Sequence, residues 1–446
     1  MTIAATGLQP SAPRWRRRRF VAGLGVAQIV SWGTLYYAFP LIAVAMERDL
    51  HLSKPELYGA ATFGLAIGSF AAYPVGAAID RGHGRTVLVA GSALAAMLLV
   101  AWSRVASLAH FYAIFAGVGV AQAMTLYEPA FAVVARRGMD DARALITALT
   151  LWGGFASTVF VPVTQGLLDG VGWRTTLVVL ALLNLGICVP LHLAVVDGAR
   201  GTGRAPQPPI GDREARRAAV RAAVTHPVFI ALAVAFTLYH GAFAALTYHL
   251  YPLLLERGFG EGSVVVAISL VGPAQVAGRL VVWWVARDRA IRGIGMATVV
   301  ALPVSLLVLL TLPSRFASLA VFAVVYGAAN GVMTIVRGLA VPEMVTKEAY
   351  GELNGILAVP GAVARAIAPV AAAALWSVTA SYDSVIRVAL AMAVVSAASF
   401  WAAVLHRGSR AVRPRLSCSS ESSPAATPPV TRRSGSPETA AHPDRR

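Results

Sequence analysis

Twelve apolar runs, each about as long as a lipid bilayer is thick, fill most of the chain between residues 20 and 405. A helix rises about 1.5 Å per residue, so roughly 20 residues cross the hydrocarbon layer. The runs at 20–46, 57–79, 86–102, 107–134, 144–168, 175–195, 227–254, 262–285, 293–312, 316–341, 353–376 and 383–405 are of that order. Inside lipid every backbone N–H and C=O must be bonded within the protein, which leaves helices or a closed barrel. Runs this long, without the in–out alternation of strands, specify helices. The expected fold is an all-α polytopic membrane protein with twelve transmembrane helices. Composition agrees, since 57% of the 446 residues are hydrophobic and 13% charged, and a soluble domain would leave most of those apolar residues without a core.

The charges between the runs set the topology. The chain has a net charge of +17, but its basic residues lie between and beyond the apolar runs, where retention of positive loops on the cytoplasmic side accounts for them and nucleic-acid binding need not. Counted that way, both termini are expected in the cytoplasm and the protein in a bacterial inner (plasma) membrane. The run from Phe20 to Met46 exceeds the 7–15 residues typical of a signal-peptide core and reads as the first membrane helix. The chain then divides into a basic tail at 1–19, six helices over 20–196, a polar connection at 197–226, six helices over 227–405 and a Ser/Pro/Thr/Arg-rich tail at 406–446. The connection carries Arg213, Arg216, Arg217 and Arg221, the pattern of a surface helix on anionic headgroups. The tail has too few apolar residues to fold and is expected to be disordered. Cys188 and Cys418 supply neither a disulfide framework nor metal-ligand spacing. No metal or other cofactor is expected, nothing requires an oligomer, and the clustered His, Asp or Cys ligands of a membrane metalloenzyme are absent.

One apolar stretch, Tyr326 to Pro342, carries Tyr326, Asn330, Thr334 and Arg337 at helical spacing, on one stripe. A mid-membrane arginine costs roughly 2.5–3.5 kcal/mol on insertion scales, so Arg337 should face protein or a watery cavity. The stretch has an echo upstream: Met124-Thr125-x-x-Glu128 repeats the spacing of Met333-Thr334-x-x-Arg337. Two pseudo-symmetric six-helix halves with opposite charges at matching positions are implied.

Between the second and third runs stands Gly76-Ala77-Ala78-Ile79-Asp80-Arg81-Gly82-His83-Gly84-Arg85. This resembles the signature loop of the major facilitator superfamily, G-x-x-x-D-R-x-G-R-R, with one additional residue before the last Gly-Arg pair. The resemblance spans about residues 20–405 and implies a transporter working by alternating access, with Gly76, Asp80, Arg81, Gly84 and Arg85 in a gating loop. A worn second copy is Gly278-Arg279, followed by Arg287, Arg289 and Arg292; Asp80 has no clear counterpart there.

In that superfamily the first, fourth, seventh and tenth helices line the cavity, which matches the polar residues seen here. They are Gln28, Trp32 and Tyr36, then Gln122, Thr125 and Glu128, then His240, Thr247 and His249, then Asn330 and Thr334. His249 lies toward the outer end, where an ordinary packed histidine is the simpler reading. Arg365 sits midway along the eleventh run, where apolar packing gives a guanidinium no role. Arg279, Arg337 and Arg365 thus outnumber Glu128 within the runs, and a carboxylate matches arginine's planar fork. The expected substrate is a small organic anion, with protons as candidate co-substrate through Glu128 or His240. The alternatives are a multidrug exporter, for which Glu128 is the single cavity acid, and a membrane sensor or scaffold that moves nothing.

Overall fold

The computed structural model describes residues 14–136, 142–196, 213–285, 291–346 and 350–406, and every regular element among them is helical. Ten continuous stretches are long and apolar enough to cross a membrane, but two of them, Lys54–Ser103 and Ala144–Val195, contain 50 and 52 residues. Straight, each would extend roughly 75 Å. Each instead turns at a glycine with positive φ, Gly82 at 99° and Gly172 at 74°, a conformation that a Cβ disfavours. Ten stretches therefore make twelve crossings.

We number these crossings span 1 (Arg17–Leu50), span 2 (Lys54–Ala78), span 3 (Gly84–Ser103), span 4 (Leu108–Arg136), span 5 (142–171) and span 6 (173–195) in the first half. The second half has span 7 (Pro227–Glu256), span 8 (Glu261–Val285), span 9 (Ile291–Thr311), span 10 (Phe316–Met344), span 11 (Tyr350–Thr379) and span 12 (Tyr382–Leu405). A helix at Arg213–Val224 precedes span 7, with Arg217 and Arg221 exposed. The first helix starts at Arg14 rather than Phe20, because arginine is itself a good helix former. The expected tails at 1–13 and 407–446, most of the connection, and Arg287 and Arg289 fall outside the described residues.

The turns at Ile79–His83, His226 and His406 lie on one side, called here the basic face; residues 51–53, 104–107 and 257–260 lie on the other, the far face. Span 2 starts at the far face with a capping box: the Ser53 hydroxyl accepts from the Glu56 N–H while the Glu56 carboxylate accepts from the Ser53 N–H at 2.7 Å.

Each half has its own apolar core. One cluster is built almost wholly from spans 7–12 around Tyr239, Phe322 and Phe400. The first half holds a second around Phe39, Trp102 and Phe111, and a third around Leu24, Leu88 and Val134. Small residues set the closest approaches. A Cβ on Gly64 or Gly68 would strike the backbone of Phe115 or Gly119 in span 4, and one on Gly327 or Gly331 that of Val271 or Gln275 in span 8. The two G-x-x-x-G repeats are thus helix-packing surfaces, one in each half. Between the halves, spans 5 and 8 cross where a Cβ on Gly272 would overlap the Gly154 carbonyl oxygen, and the Thr158 hydroxyl donates to the Ser269 carbonyl at 2.9 Å.

Candidate functional site

The far face is sealed by contacts between the halves. Tyr58 of span 2 stacks on His249 of span 7 with ring centroids 3.7 Å apart, and Phe39 and Tyr36 of span 1 meet Tyr248 at 5.8 and 4.9 Å. The Val370 N–H donates to Thr62, the Tyr251 hydroxyl to Gln165 at 2.7 Å, and the Lys54 ammonium lies 4.0 Å from the centre of the Trp376 ring. Below this seal is a cavity of about 20 Å³, lined among others by Tyr37, Ser157, Thr247, Gln275 and Tyr326, which is room for about one water.

Toward the basic face the polar stripe of span 10 opens step by step. Tyr326 is buried, with its hydroxyl 2.8 Å from that of Thr247; Asn330 is half-buried, Thr334 exposed and Arg337 half-buried. Arg365 is exposed although it is mid-span. Ile356, Val359, Val363 and Ile367 form the exposed apolar stripe of span 11, and Arg365 falls on the opposite side. It makes no hydrogen bond or ion pair with any described residue and lies within electrostatic range of Tyr36, Tyr248 and His240. Arg337 is also within range of His240, whose Nε2 is buried without a partner and whose ring packs on Gly361, one turn from Arg365. Of the expected cavity residues, His240 thus lies within electrostatic range of both Arg337 and Arg365, while Asn330, Thr334 and Arg337 follow one another along span 10 toward the basic face.

Arg279 lies deeper than its place in a loop motif suggests. It is 7% exposed, and its guanidinium donates to the Gly331 carbonyl of span 10 at 3.1 Å and to the Thr150 carbonyl of span 5 at 2.7 Å. These bonds tie the two halves together without an acidic partner. Nε and one Nη1 hydrogen are used, so the Nη2 end stays free to bind. Gln275, one turn away, lines the closed cavity.

Gln28 and Tyr36 have structural partners as well. Span 4 breaks at Leu126, whose ψ of −155° is not helical, because Pro129 lacks the N–H that would bond the Thr125 carbonyl. Gln28, wholly buried, donates its amide to that carbonyl at 2.8 Å and to Leu126 at 3.3 Å. In exchange Gln122 of span 4 donates to the Leu35 carbonyl at 2.8 Å, inside a π-helical turn at Gly33–Tyr37 that precedes Pro40. The two glutamines bind each other's broken helices. Gln28→Leu strands a buried carbonyl and is expected to lower stability by about 1–3 kcal/mol, read as thermal unfolding in detergent. Tyr36 packs edge-on to Trp32, Tyr37 and Tyr248 at 4.9–5.2 Å. The break also limits the repeat: Glu128 is exposed in the first turn of a new helix, Tyr127–Arg136, whereas Arg337 lies within unbroken span 10. The ion pairs among the described residues do not include Glu128 with Arg337.

In the Gly76–Arg85 loop, Gly82 supplies the positive φ and Gly84 a close approach to Val133, while a Cβ on Gly76 would meet nothing within 4 Å. Asp80 and Arg81 are exposed and Arg85 half-buried. Sequence reasoning passed over one acid near the second half's loop, Glu343. From the end of span 10 its carboxylate accepts the Ile291 N–H at 3.1 Å, where span 9 begins. The Pro342-Glu343 pair at a span end was the available signal. No cluster of three or more His, Cys, Asp or Glu side chains able to hold a metal occurs among the described residues.

Comparison with known proteins agrees with this architecture. The Major Facilitator Superfamily model matches residues 24–312. Human monocarboxylate transporter 11 is 31% identical over 57% of this chain, which spans only 52% of that protein; rat monocarboxylate transporter 13 is 28% identical over 73% of each. Among solved structures, the nucleoside transporter NupG superposes with a TM-score of 0.67 at 16% identity, covering 88% of this chain and 100% of that one. A bacterial homologue of the human lysosomal transporter Spinster gives 0.64 at 13%, covering 89% and 98%. Twelve crossings, a loop with the superfamily's signature G-x-x-x-D-R spacing and a family match over most of the helical region converge: the chain belongs to the Major Facilitator Superfamily, and so stands among membrane transporters rather than enzymes.

Proposed function

We propose that this protein is a secondary transporter of small organic anions, monocarboxylates in the first instance, working by alternating access. The observation that carries the reading is Arg279: a buried guanidinium, bonded only to carbonyl oxygens, with donors still unused beside the inter-half cavity. A carboxylate of one to a few carbons supplies the missing negative charge in a bidentate fit. Arg365, exposed although mid-span, is the entry station, and His240 or Glu128 the candidate proton carrier. Similarity to proteins named monocarboxylate transporters supports the substrate class. Because the Thr150 carbonyl that Arg279 holds belongs to the other half, a carboxylate bound at the free Nη2 end neutralises the guanidinium and weakens its bond to that carbonyl, which loosens the clasp. Asp80, Arg81 and Arg85 then act in gating as the halves rock.

The test is uptake by reconstituted proteoliposomes of labelled short-chain monocarboxylates, with nucleosides and lipophilic cations in parallel. Saturable uptake that other monocarboxylates compete away supports the reading. Movement of cations alone favours a drug exporter, and movement of nothing a sensor.

The basic face is cytoplasmic in this proposal. Reporter fusions after Gly138, Gly211 and Gly408 are expected to report cytoplasmic, and fusions after Ser53 and Arg257 the opposite side. A non-cytoplasmic signal at Gly211 would reverse or break the six-plus-six arrangement.

A further inference from the structure

The far-face seal contains a histidine that the anion pathway does not use. His249 is 0% exposed, and both ring nitrogens are bonded: Nε2 lies 2.9 Å from the Pro369 carbonyl of span 11 and Nδ1 2.9 Å from the Tyr382 hydroxyl of span 12. A carbonyl only accepts, so Nε2 carries the hydrogen and Nδ1 accepts from tyrosine. That is the neutral ring; a protonated ring would instead donate from Nδ1 to the Tyr382 oxygen and place a cation where no water reaches it. The opposite half covers it, with Tyr58 of span 2 stacked on its face at 3.7 Å.

The charged and titratable groups around the ring come from every element packed on it. Lys54 of span 2 is within electrostatic range, is paired with Glu47 of span 1 at 2.6 Å and sits over Trp376 of span 11. Glu256 of span 7 accepts from the Trp376 indole at 2.6 Å and from the Tyr382 N–H at 2.7 Å. Arg365 lies one turn along span 11 from Pro369. Both carboxylates are engaged elsewhere, so neither is placed to receive an imidazolium.

We propose that His249 is a proton-binding site of the far gate, occupied when that gate is open and empty when it is shut. Opening withdraws Tyr58 and admits water, and the hydrated imidazole titrates near its ordinary value of about 6.5. A proton on Nδ1 turns the acceptor into a donor, so the Tyr382 hydroxyl must rotate its own hydrogen away from the ring, and the ring becomes a cation beneath Lys54. Tyr58 can then restack only after the proton leaves. Closure therefore releases a proton, and acid on the far side holds the gate open. The proposal rests on the alternating-access part of the proposed function.

The test places one cysteine within the seal, Ala373→Cys, which is buried among first-half residues, in full-length protein carrying Cys188→Ala and Cys418→Ser. Its rate of maleimide labelling in nanodiscs is divided by that of Ala106→Cys, in the exposed 104–107 loop, so that the pH dependence of the thiol itself cancels. While the closed state dominates, the ratio is expected to rise about tenfold from pH 8 to pH 5.5 if one group of pKa near 6.5 protonates only in the open state. With His249→Gln, whose amide can serve one of the two partners but cannot titrate, the ratio should be flat. A flat ratio with His249 present overturns the proposal without any His249 variant, and so does an equal rise in His249→Gln. Counterflow of labelled monocarboxylate separates the two readings: intact counterflow with a flat ratio sinks only the proton site, whereas no labelling at any pH together with no counterflow sinks alternating access and the proton site with it.

Discussion

Replacing Arg279 by glutamine is expected to lower monocarboxylate uptake by about 10- to 100-fold, the value of losing charge-assisted bonds of roughly 1.5–3 kcal/mol. Arg279→Lys should recover little. A lysine is a compact charge that cannot span Gly331, Thr150 and a two-oxygen ligand at once. The change should spare the fold. Because the guanidinium is buried without an acidic partner, a neutral side chain removes an uncompensated charge and should leave thermal stability equal or higher. Uptake and unfolding together make the result decisive. Wild-type uptake in Arg279→Gln would move the anion anchor elsewhere, with Arg365 next in line, while lost uptake with a collapsed unfolding temperature would make Arg279 a structural clasp alone.

The second large effect concerns Glu128 and Arg337, whose pairing is not among the ion pairs of the described residues. In the proposed cycle we expect them to approach when the basic face closes. Either single neutralisation, Glu128→Gln or Arg337→Gln, should then slow transport more than the double change, with a coupling energy on the order of 1–3 kcal/mol. The readout is the set of transport rates for the wild type, both singles and the double. Strict additivity would mean that no pair forms at any stage of the cycle.

The crossings were legible in the sequence because membrane length and apolar composition admit few folds, and the arginines within spans because each is expensive there. The irregularities were harder to see. Span 4 reads as one run over 107–134, yet Pro129 breaks it at Leu126; the proline was visible, but the side chain that repairs the break, Gln28, is far off in sequence. Gln28 and Tyr36 look like cavity residues by position on span 1; the Gln28 amide bonds span 4, and Tyr36 packs on Trp32 and Tyr37 of its own span and on Tyr248 of span 7. Arg279 was read as the remnant of a loop because Gly-Arg near a span end imitates the first-half motif. Only the packing of spans 5, 8 and 10 shows it bridging two halves. His249 drew the blander reading because a lone histidine near a span end says nothing of Tyr58 across the gap.

The contact of Gly154 with Gly272 bears on how fast such a molecule can run. Where the halves cross, the Gly272 Cα lies against the Gly154 carbonyl oxygen, with the short side chains of Ser157 and Thr158 beside it. Meshed side chains must unlock rotamer by rotamer before two surfaces can slide, whereas a smooth crossing acts as an axle bearing with little friction. Span 5 also changes direction there, one helix ending at Gly154 and the next starting at Ala156. A single methyl on Gly272 would be grit in that bearing, holding the molecule in whichever posture it had when the wheel stopped.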